Sequence, residues 1–369
     1  MSESQEDTPA SGGPTGAAPW DPATFRAGIE ETLREFVDQQ SSWLAELGED
    51  AARLVDHARV SVSGGKRFRA AFCWWGHLAV AEPDDLTALL RACASLELLH
   101  ASALVHDDVM DASDVRRGRP ATHRAFEALH RERGWAASPE QYGAAAAILL
   151  GDLLLSWSDE LLRTCGLPAP RVLDALGYFD LTRSEVVTGQ FLDVSAQARG
   201  TSDVDLAMTV LRYKSAKYSI ERPLHIGASL AGAGPEVMAQ LSRFGLPLGE
   251  AFQLRDDLLG VFGDPDATGK PAGDDLSEGK RTVLIALALD ALGPSDRELL
   301  DASLGKALTT DEVAELRALI DASGAHGQVE QVITALTDHA LTALDAADIR
   351  DDARAVLRDL AAAATQRTV

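Results

Sequence analysis

The chain has 369 residues, 46% of them apolar and only 5% aromatic, and its formal net charge is −23. An apolar set dominated by Ala and Leu can fill a sizeable core and favours packed helices over sheets. The acidity excludes the global basic footprint of a nucleic-acid binder. Cys73, Cys93 and Cys165 have no metal-ligand spacing and make no disulfide framework, so each is expected as a small core residue.

Residues 1–21 are rich in Ser, Gly, Pro and Thr and have little to bury, which predicts a disordered tail. From 22 to 369 the pattern predicts one all-α domain. Ile29, Leu33, Phe36 and Val37 recur at helical spacing, as do Leu44, Leu47, Ala51 and Leu54. The stretches 86–106 and 144–162 are apolar on most faces and should lie centrally in a large bundle. Helical patterns continue over 206–231, 235–262, 282–292, 313–320 and 329–346. Strand signals are weak, and glycines and prolines punctuate instead at 63–65, 117–120, 263–265 and 269–271. The start is acidic and polar, unlike a secretory leader, and no apolar run looks long enough to cross a bilayer. The expectation is a cytoplasmic protein without stable membrane insertion.

Residues that carry chemistry concentrate in four places. Gly64-Gly65-Lys66-Arg67-Phe68-Arg69 sets bases ahead of an apolar helix. Helix N-termini attract anions, so Lys66 and Arg69 could hold a phosphate; taken alone, the motif reads more readily as a surface basic turn. Next, Asp107, Asp108 and Asp111 close an apolar stretch, with Asp107 and Asp111 on one helical face. Like charges at that spacing destabilise a helix unless a divalent cation lies between them. Oxygen-only ligands suit Mg²⁺, which takes one or two carboxylates plus substrate phosphates. A solvated helix end is the plain alternative. It loses ground to Arg116, Arg117 and Arg119, because Arg suits bidentate contact with phosphate.

Polar residues also interrupt two apolar helices: Gln190 and Asp193 on one, Lys214, Ser215 and Lys217 on the other. Those lysines either snorkel to the surface or answer a buried anion. Finally, Gln253, Asp256, Asp257 and Gly260 fall on one helical face, followed by Lys270, Asp274, Asp275, Glu278 and Lys280. A charged, solvated loop accounts for the acids after Gly260. Lys270 and Lys280 each stand beside a glycine, where backbone can approach a ligand closely.

Taken in order, these stretches closely resemble the trans-isoprenyl diphosphate synthase family, the polyprenyl synthetases, from about Phe25 to the C-terminus. The matching pieces are 64–69, His100, 104–111 with Arg116-Arg117, 189–193, Lys214-Ser215, 252–257, Gly269-Lys270 and Gly279-Lys280. The resemblance implies an isoprenoid-synthase-type helical bundle around a deep central cavity, a homodimer, and three Mg²⁺ ions bridging an allylic diphosphate. By match, Asp107, Asp111 and Asp256 are metal ligands. Arg116, Lys214, Ser215, Gln253 and Lys270 match positions that hold the allylic diphosphate, with Lys280 nearby and Gln190 as a further contact. Gly65, Lys66, Arg69, His100 and Arg117 match the isopentenyl diphosphate pocket. The expected catalytic set is Asp107, Asp108, Asp111, Arg116, Lys214, Asp256 and Asp257. Three positions depart from the family pattern: Gly260 replaces the third Asp of the second motif, with Asp264 just beyond; Ser215 replaces Thr; His100 stands where many relatives have Gln.

The implied reaction is a Mg²⁺-dependent head-to-tail condensation of isopentenyl diphosphate with an allylic diphosphate (dimethylallyl, geranyl or farnesyl), releasing diphosphate. Ala103 lies one turn, about 5.4 Å, before Asp107, and Leu99 one turn further. Ser102 and Ala103 are small where farnesyl-producing relatives place aromatic rings. A growing tail should pass this level, so a C20 geranylgeranyl product is expected, with farnesyl or C25 and longer as alternatives. A class I terpene cyclase would have no isopentenyl pocket, against Lys66, Arg69 and the Arg116-Arg117 pair. An inactive partner subunit would typically lack motif acids, and a helical scaffold gives no reason for acids and bases in this order.

Overall fold

The computed structural model describes residues 20–263 and 273–366. Residues 1–19 of the expected tail, and Asp264 and Lys270, lie outside the described residues. Trp20 and Asp21, assigned to that tail, belong to the folded bundle. Asp21 caps α1 (Pro22–Leu44) by accepting from the amides of Ala23 and Thr24, and the Trp20 ring lies 5.1 Å from Phe25 and 5.2 Å from Trp75.

Helix α1 buries the predicted stripe of Phe25, Ile29, Leu33, Phe36 and Val37. It leads through α2 (Glu49–Val62) to α3 (Phe68–Leu78). Helix α4 (Leu86–Met110) starts on Asp85, whose carboxylate accepts from the Ala88 amide, and α6 (Pro139–Arg163) starts on Ser138. As their apolar faces predict, α4 and α6 pack against each other in the core. One expectation needs correcting here. By length and composition α4 could cross a bilayer, yet 72% of its most apolar window is buried inside the protein. It is a core helix, apolar because protein surrounds it.

A short antiparallel ribbon follows, pairing Val115 with Pro120 and Arg116 with Arg119. Arg117 and Gly118 at its tip have φ of 53° and 72°, the positive values a two-residue primed hairpin turn needs. The sequence offers no Asn or Asp there to mark a hairpin. Helix α5 (Thr122–Arg133) packs on α6.

After α7 (Ala169–Arg199) comes one unbroken rod: α8 (Val204–Val210), a π-helical stretch Leu211–Glu221, and α9 (Arg222–Ala231). The sequence predicts a plain helix over 206–231. The widened turns carry Lys214, Ser215 and Tyr218, and π-helical departures concentrate at functional sites. Helix α10 (Pro235–Phe262) lies along this rod and against Ala325–Asp345. Asp274–Glu278, Val283–Ala291 and Asp351–Thr365 are among the remaining helices. All three cysteines are free and buried.

Helices α3 and α9 touch through glycine: a Cβ on Gly227 would lie 1.8 Å from the Cys73 carbonyl oxygen. Gly227→Ala should overpack this crossing and cost about 1–3 kcal/mol of stability. In urea unfolding that reads as a lower midpoint with an unchanged slope.

Candidate active site

A cleft of about 770 Å³ is lined by α4, α7, the π-helical stretch and α10. It brings together Lys66, Arg69, His100, Ala103, Asp107, Arg116, Gln190, Lys214, Ser215, Gln253, Asp256, Asp257 and Lys280. Helix α4 presents His100, Ala103, Leu104 and Asp107 to it, a single helical face.

Several expected residues fall elsewhere. Asp108 is buried and turned toward a smaller pocket of about 240 Å³, where its carboxylate accepts a 2.8 Å hydrogen bond from Arg116 Nε. It anchors Arg116 instead of facing the cleft, because it sits about 100° around the helix from Asp107. Arg117 lines the smaller pocket too and donates to the Ser63 carbonyl at 2.7 Å. Gly65 leaves room for that guanidinium, since a Cβ there would lie 3.2 Å from it. Leu99 and Ser102 are 2% exposed and do not line the cleft. Of the three residues expected beside the growing tail, Ala103 alone lines the cleft.

The acids are crowded. Asp107 accepts from Gln190 Nε2 at 2.8 Å, and Lys214 Nζ lies 3.4 Å from Asp107 and 2.6 Å from Asp193. Burial opposes ionisation of Asp107, but Lys214, Lys280 and Arg116 outweigh it and hold the carboxyl below its usual range. Asp111 does not line the cleft: its side chain is 2% exposed, and its Oδ2 has no hydrogen-bond partner, with Lys280 Nζ 3.7 Å away. Burial, and then the Asp107 charge, push it up to about 6. Asp257 is pushed up to about 7 by burial and by the Asp275 carboxylate, although Gln253 donates to it at 2.8 Å. Burial disfavours charge on Lys214 and Lys280, yet the surrounding carboxylates keep both firmly protonated.

This set fits a hard divalent cation. The donors are all oxygen, they repel one another, and a buried carboxylate oxygen of Asp111 is unsatisfied. Among the described residues no three such groups converge into a ready-made cage. A Mg²⁺ held by these acids would need waters and phosphate oxygens to complete its shell.

The other wall is basic, and a strained residue sets it. Arg67 caps α3 with a left-handed backbone (φ 58°), and its buried guanidinium donates to Glu97 at 3.1 Å and to the Val62 carbonyl at 2.6 Å. That buried pair fixes the loop that bears Lys66 and the first turn of α3 that bears Arg69. Arg69 lies 4.1 Å over the Tyr218 ring and donates to Ser219 at 2.8 Å. The Tyr218 hydroxyl meets His100 Nδ1 at 2.6 Å. Burial, followed by the Arg69 charge, keeps His100 neutral, and burial pushes the Tyr218 phenol up to about 12. Sequence reasoning passed over Tyr218, although it lies four residues after Lys214 on the same rod. It also missed Glu97, which has no sequence signal beyond being one acid in an apolar helix.

A sequence model described as polyprenyl synthetase matches residues 52–321. The chain belongs to the polyprenyl synthetase family. A geranylgeranyl pyrophosphate synthase of Corynebacterium glutamicum, solved with isoprenyl diphosphate and magnesium, superposes with a TM-score of 0.92 at 42% identity, covering 95% of this chain and 100% of that one. The geranylfarnesyl diphosphate synthase of Aeropyrum pernix is 33% identical over 71% of this chain and 77% of its own length. A (2E,6E)-farnesyl diphosphate synthase of Mycobacterium tuberculosis is 31% identical over 80% of this chain and 75% of its own. The protein is a prenyltransferase of the all-α isoprenyl synthase fold; its relatives differ among themselves in product length.

With Asp257 near 7 and Asp111 near 6, the native prenyltransferase without metal holds protons that its unfolded chain has released. Its stability should therefore fall as pH rises from about 5 to 8. Asp257→Asn stays neutral throughout and should flatten the upper part of that slope in thermal melts run with EDTA.

Proposed function

We propose that this enzyme is a Mg²⁺-dependent trans-prenyl diphosphate synthase that joins isopentenyl diphosphate to an allylic diphosphate and makes chiefly the C20 product. The observation that carries this reading is the pair of unlike walls in one cleft. Asp107, Asp256 and Asp257, with Lys214, Lys280 and Arg116, form one wall, while Lys66, Arg69 and His100 form the other. Two separate groups of bases call for two anions, and a terpene cyclase would need one.

Asp107, Asp111 and Asp256 would hold the metal, which when bound would neutralise charge building on the departing diphosphate. Lys214, Lys280 and Arg116 stabilise that same charge from fixed positions. Lys66 and Arg69 hold the second diphosphate, so that its double bond faces the allylic C1. The C1–oxygen bond breaks and diphosphate departs, isopentenyl C4 bonds to the allylic C1, the positive charge passes to C3, and C2 gives a proton to the departed diphosphate, so that a C2–C3 double bond forms. Tyr218 and Ala103 line the space between the two anion sites and the path of the tail.

The purified protein with Mg²⁺ and isopentenyl diphosphate should elongate dimethylallyl, geranyl and farnesyl diphosphates to a C20 product, and EDTA should abolish turnover. Absence of product from every primer would end the synthase reading. Ala103→Phe should shorten the product by blocking the α4 face of the cleft; an unchanged chain-length profile would show that the tail runs elsewhere.

A homodimer is part of the proposal. Ile148 and Leu149 on α6, and Leu173, Val187 and Phe191 on α7, are exposed at 46%, 61%, 70%, 62% and 68%. Apolar exposure gathered on two helices marks an interaction face. Light scattering should give a dimer for the wild type and a smaller species for Phe191→Glu.

A further inference from the structure

Lys217 interrupts the same apolar rod as Lys214, but it does not line the cleft. It reaches α7 instead, where its Nζ donates to Glu185 Oε1 at 2.9 Å. The same carboxylate takes Arg222 in a two-pronged grip: Nε donates to Oε2 and Nη2 to Oε1, both at 2.7 Å. The three side chains are largely buried, Glu185 at 11% exposed, Lys217 at 14% and Arg222 at 9%. Burial opposes ionisation of Glu185, but Arg222 and Lys217 outweigh it and hold the carboxyl below its usual range. Arg222 Nη1 also donates to His225 Nδ1 at 3.1 Å, and His225 Nε2 meets the Met238 carbonyl at 3.2 Å on α10. One network thus ties α7, the rod and α10 together.

The spacing within it is informative. Lys217 and Arg222 are five residues apart, which on an α-helix is a rotation of about 140°. A π-turn closes from i to i+5 and brings residues five apart back to one face. The Arg222 amide donates to the Lys217 carbonyl, closing the last widened turn. Pro223 follows and has no amide with which to extend the series. Glu185 therefore grips both ends of a single π-turn. One turn later on α7, Gly189 touches the rod again, where a Cβ would lie 2.3 Å from the Lys214 amide nitrogen.

We propose that Glu185 is a positioning residue for the reaction in the cleft: by clamping Lys217 and Arg222 it holds the rod in its π register, and that register keeps Lys214 beside Asp107. Downstream of the clamp, α9 is locked against α3 at Gly227. If the π-turn tightened to ordinary i to i+4 bonding, the rotation would appear upstream of Lys217. It would carry Lys214 off Asp107 and Asp193, which now lie 3.4 Å and 2.6 Å from its Nζ. Glu185 acts from outside the cleft, through the backbone that bears Lys214. This inference rests on the reading of the cleft as the site where diphosphate departs.

The test pairs two measurements on the full-length protein. One is product formed from radiolabelled isopentenyl diphosphate and geranyl diphosphate with Mg²⁺. The other is amide hydrogen exchange by mass spectrometry. Glu185→Gln should lower kcat by roughly 10–100-fold, the range for a reacting group misplaced by about 1 Å. Amides of residues 213–222 should exchange faster in it, while those of α4 stay as they are. In a Lys214→Ala background the same Glu185→Gln change should cost little more, because it acts through Lys214. A merely structural role would give equal losses in both backgrounds. Lys217→Met, which leaves Glu185 paired with Arg222, should show the same pattern more weakly and decides the matter if Glu185→Gln does not fold. Unchanged kcat and exchange in the folded variant, or equal losses with and without Lys214, overturns the proposal. A wild-type protein that makes no product from any primer overturns the reading of the cleft itself, a different failure read from a different sample.

Discussion

Mutual repulsion among buried carboxylates is the constraint on which this molecule turns. Asp107 and Asp111 share a helix face, and Asp257 faces Asp275 across two elements. Left alone, such a set would protonate or push the helices apart. It stays together because Lys214, Lys280 and Arg116 arrive from three other segments: the π-helical rod, the turn after Asp274–Glu278, and the ribbon. Each base has its own anchor, Asp193 for Lys214, Asp275 for Lys280 and Asp108 for Arg116. The charges that would face a substrate are therefore held before one arrives, which is the requirement for electrostatic catalysis without reorganisation.

Backbone contacts deliver those bases. Helix α7 comes so close to the rod that a Cβ on Gly189 would lie 2.3 Å from the Lys214 amide nitrogen. That closeness puts Gln190 and Asp193, on the same helix, within reach of Asp107 and Lys214. On the basic wall, the Arg67–Glu97 pair is 2% and 5% exposed and spans from the α3 cap to α4. Breaking a buried pair leaves an uncompensated charge, so the loop bearing Lys66 is held by the same core that holds the acids.

Much of this was legible in the sequence. Apolar stretches with helical period fixed the all-α class, and the continuous apolarity of α4 and α6 located the centre. The i, i+4 row of α4 and the i, i+3, i+4, i+7 row of α10 put Asp107, Gln253, Asp256 and Asp257 into one cleft as read. What escaped has common physical causes. Asp108 is chemically the same as Asp107 and differs only by a turn of about 100°. Ser102 differs from Ala103 in the same way. Composition could not separate a core helix from a membrane span, because both are helices surrounded by apolar matter. The π-helical register leaves no mark on a pattern read at 3.6 residues per turn. Asp275 looked like a loop acid because nothing in a linear sequence reveals that its carboxylate ends beside Gly260.

The structure also explains why one helix can serve both chemistry and specificity. The face of α4 toward the cleft carries Asp107, then Ala103 and Leu104 one turn back, then His100. An acid, a small residue and a histidine are thus spaced along one rigid rod that faces the cleft. A change in side-chain size at 103 alters the room for the tail without moving Asp107, because α4 is clamped on several sides by α1, α3 and α6. If the tail runs along this face, as proposed above, product length could vary by single substitutions while Asp107 stays in place. Such an arrangement accommodates relatives of similar sequence whose names carry C15, C20 and C25 products. The acids cannot vary so freely, since each is tied to a base from another segment.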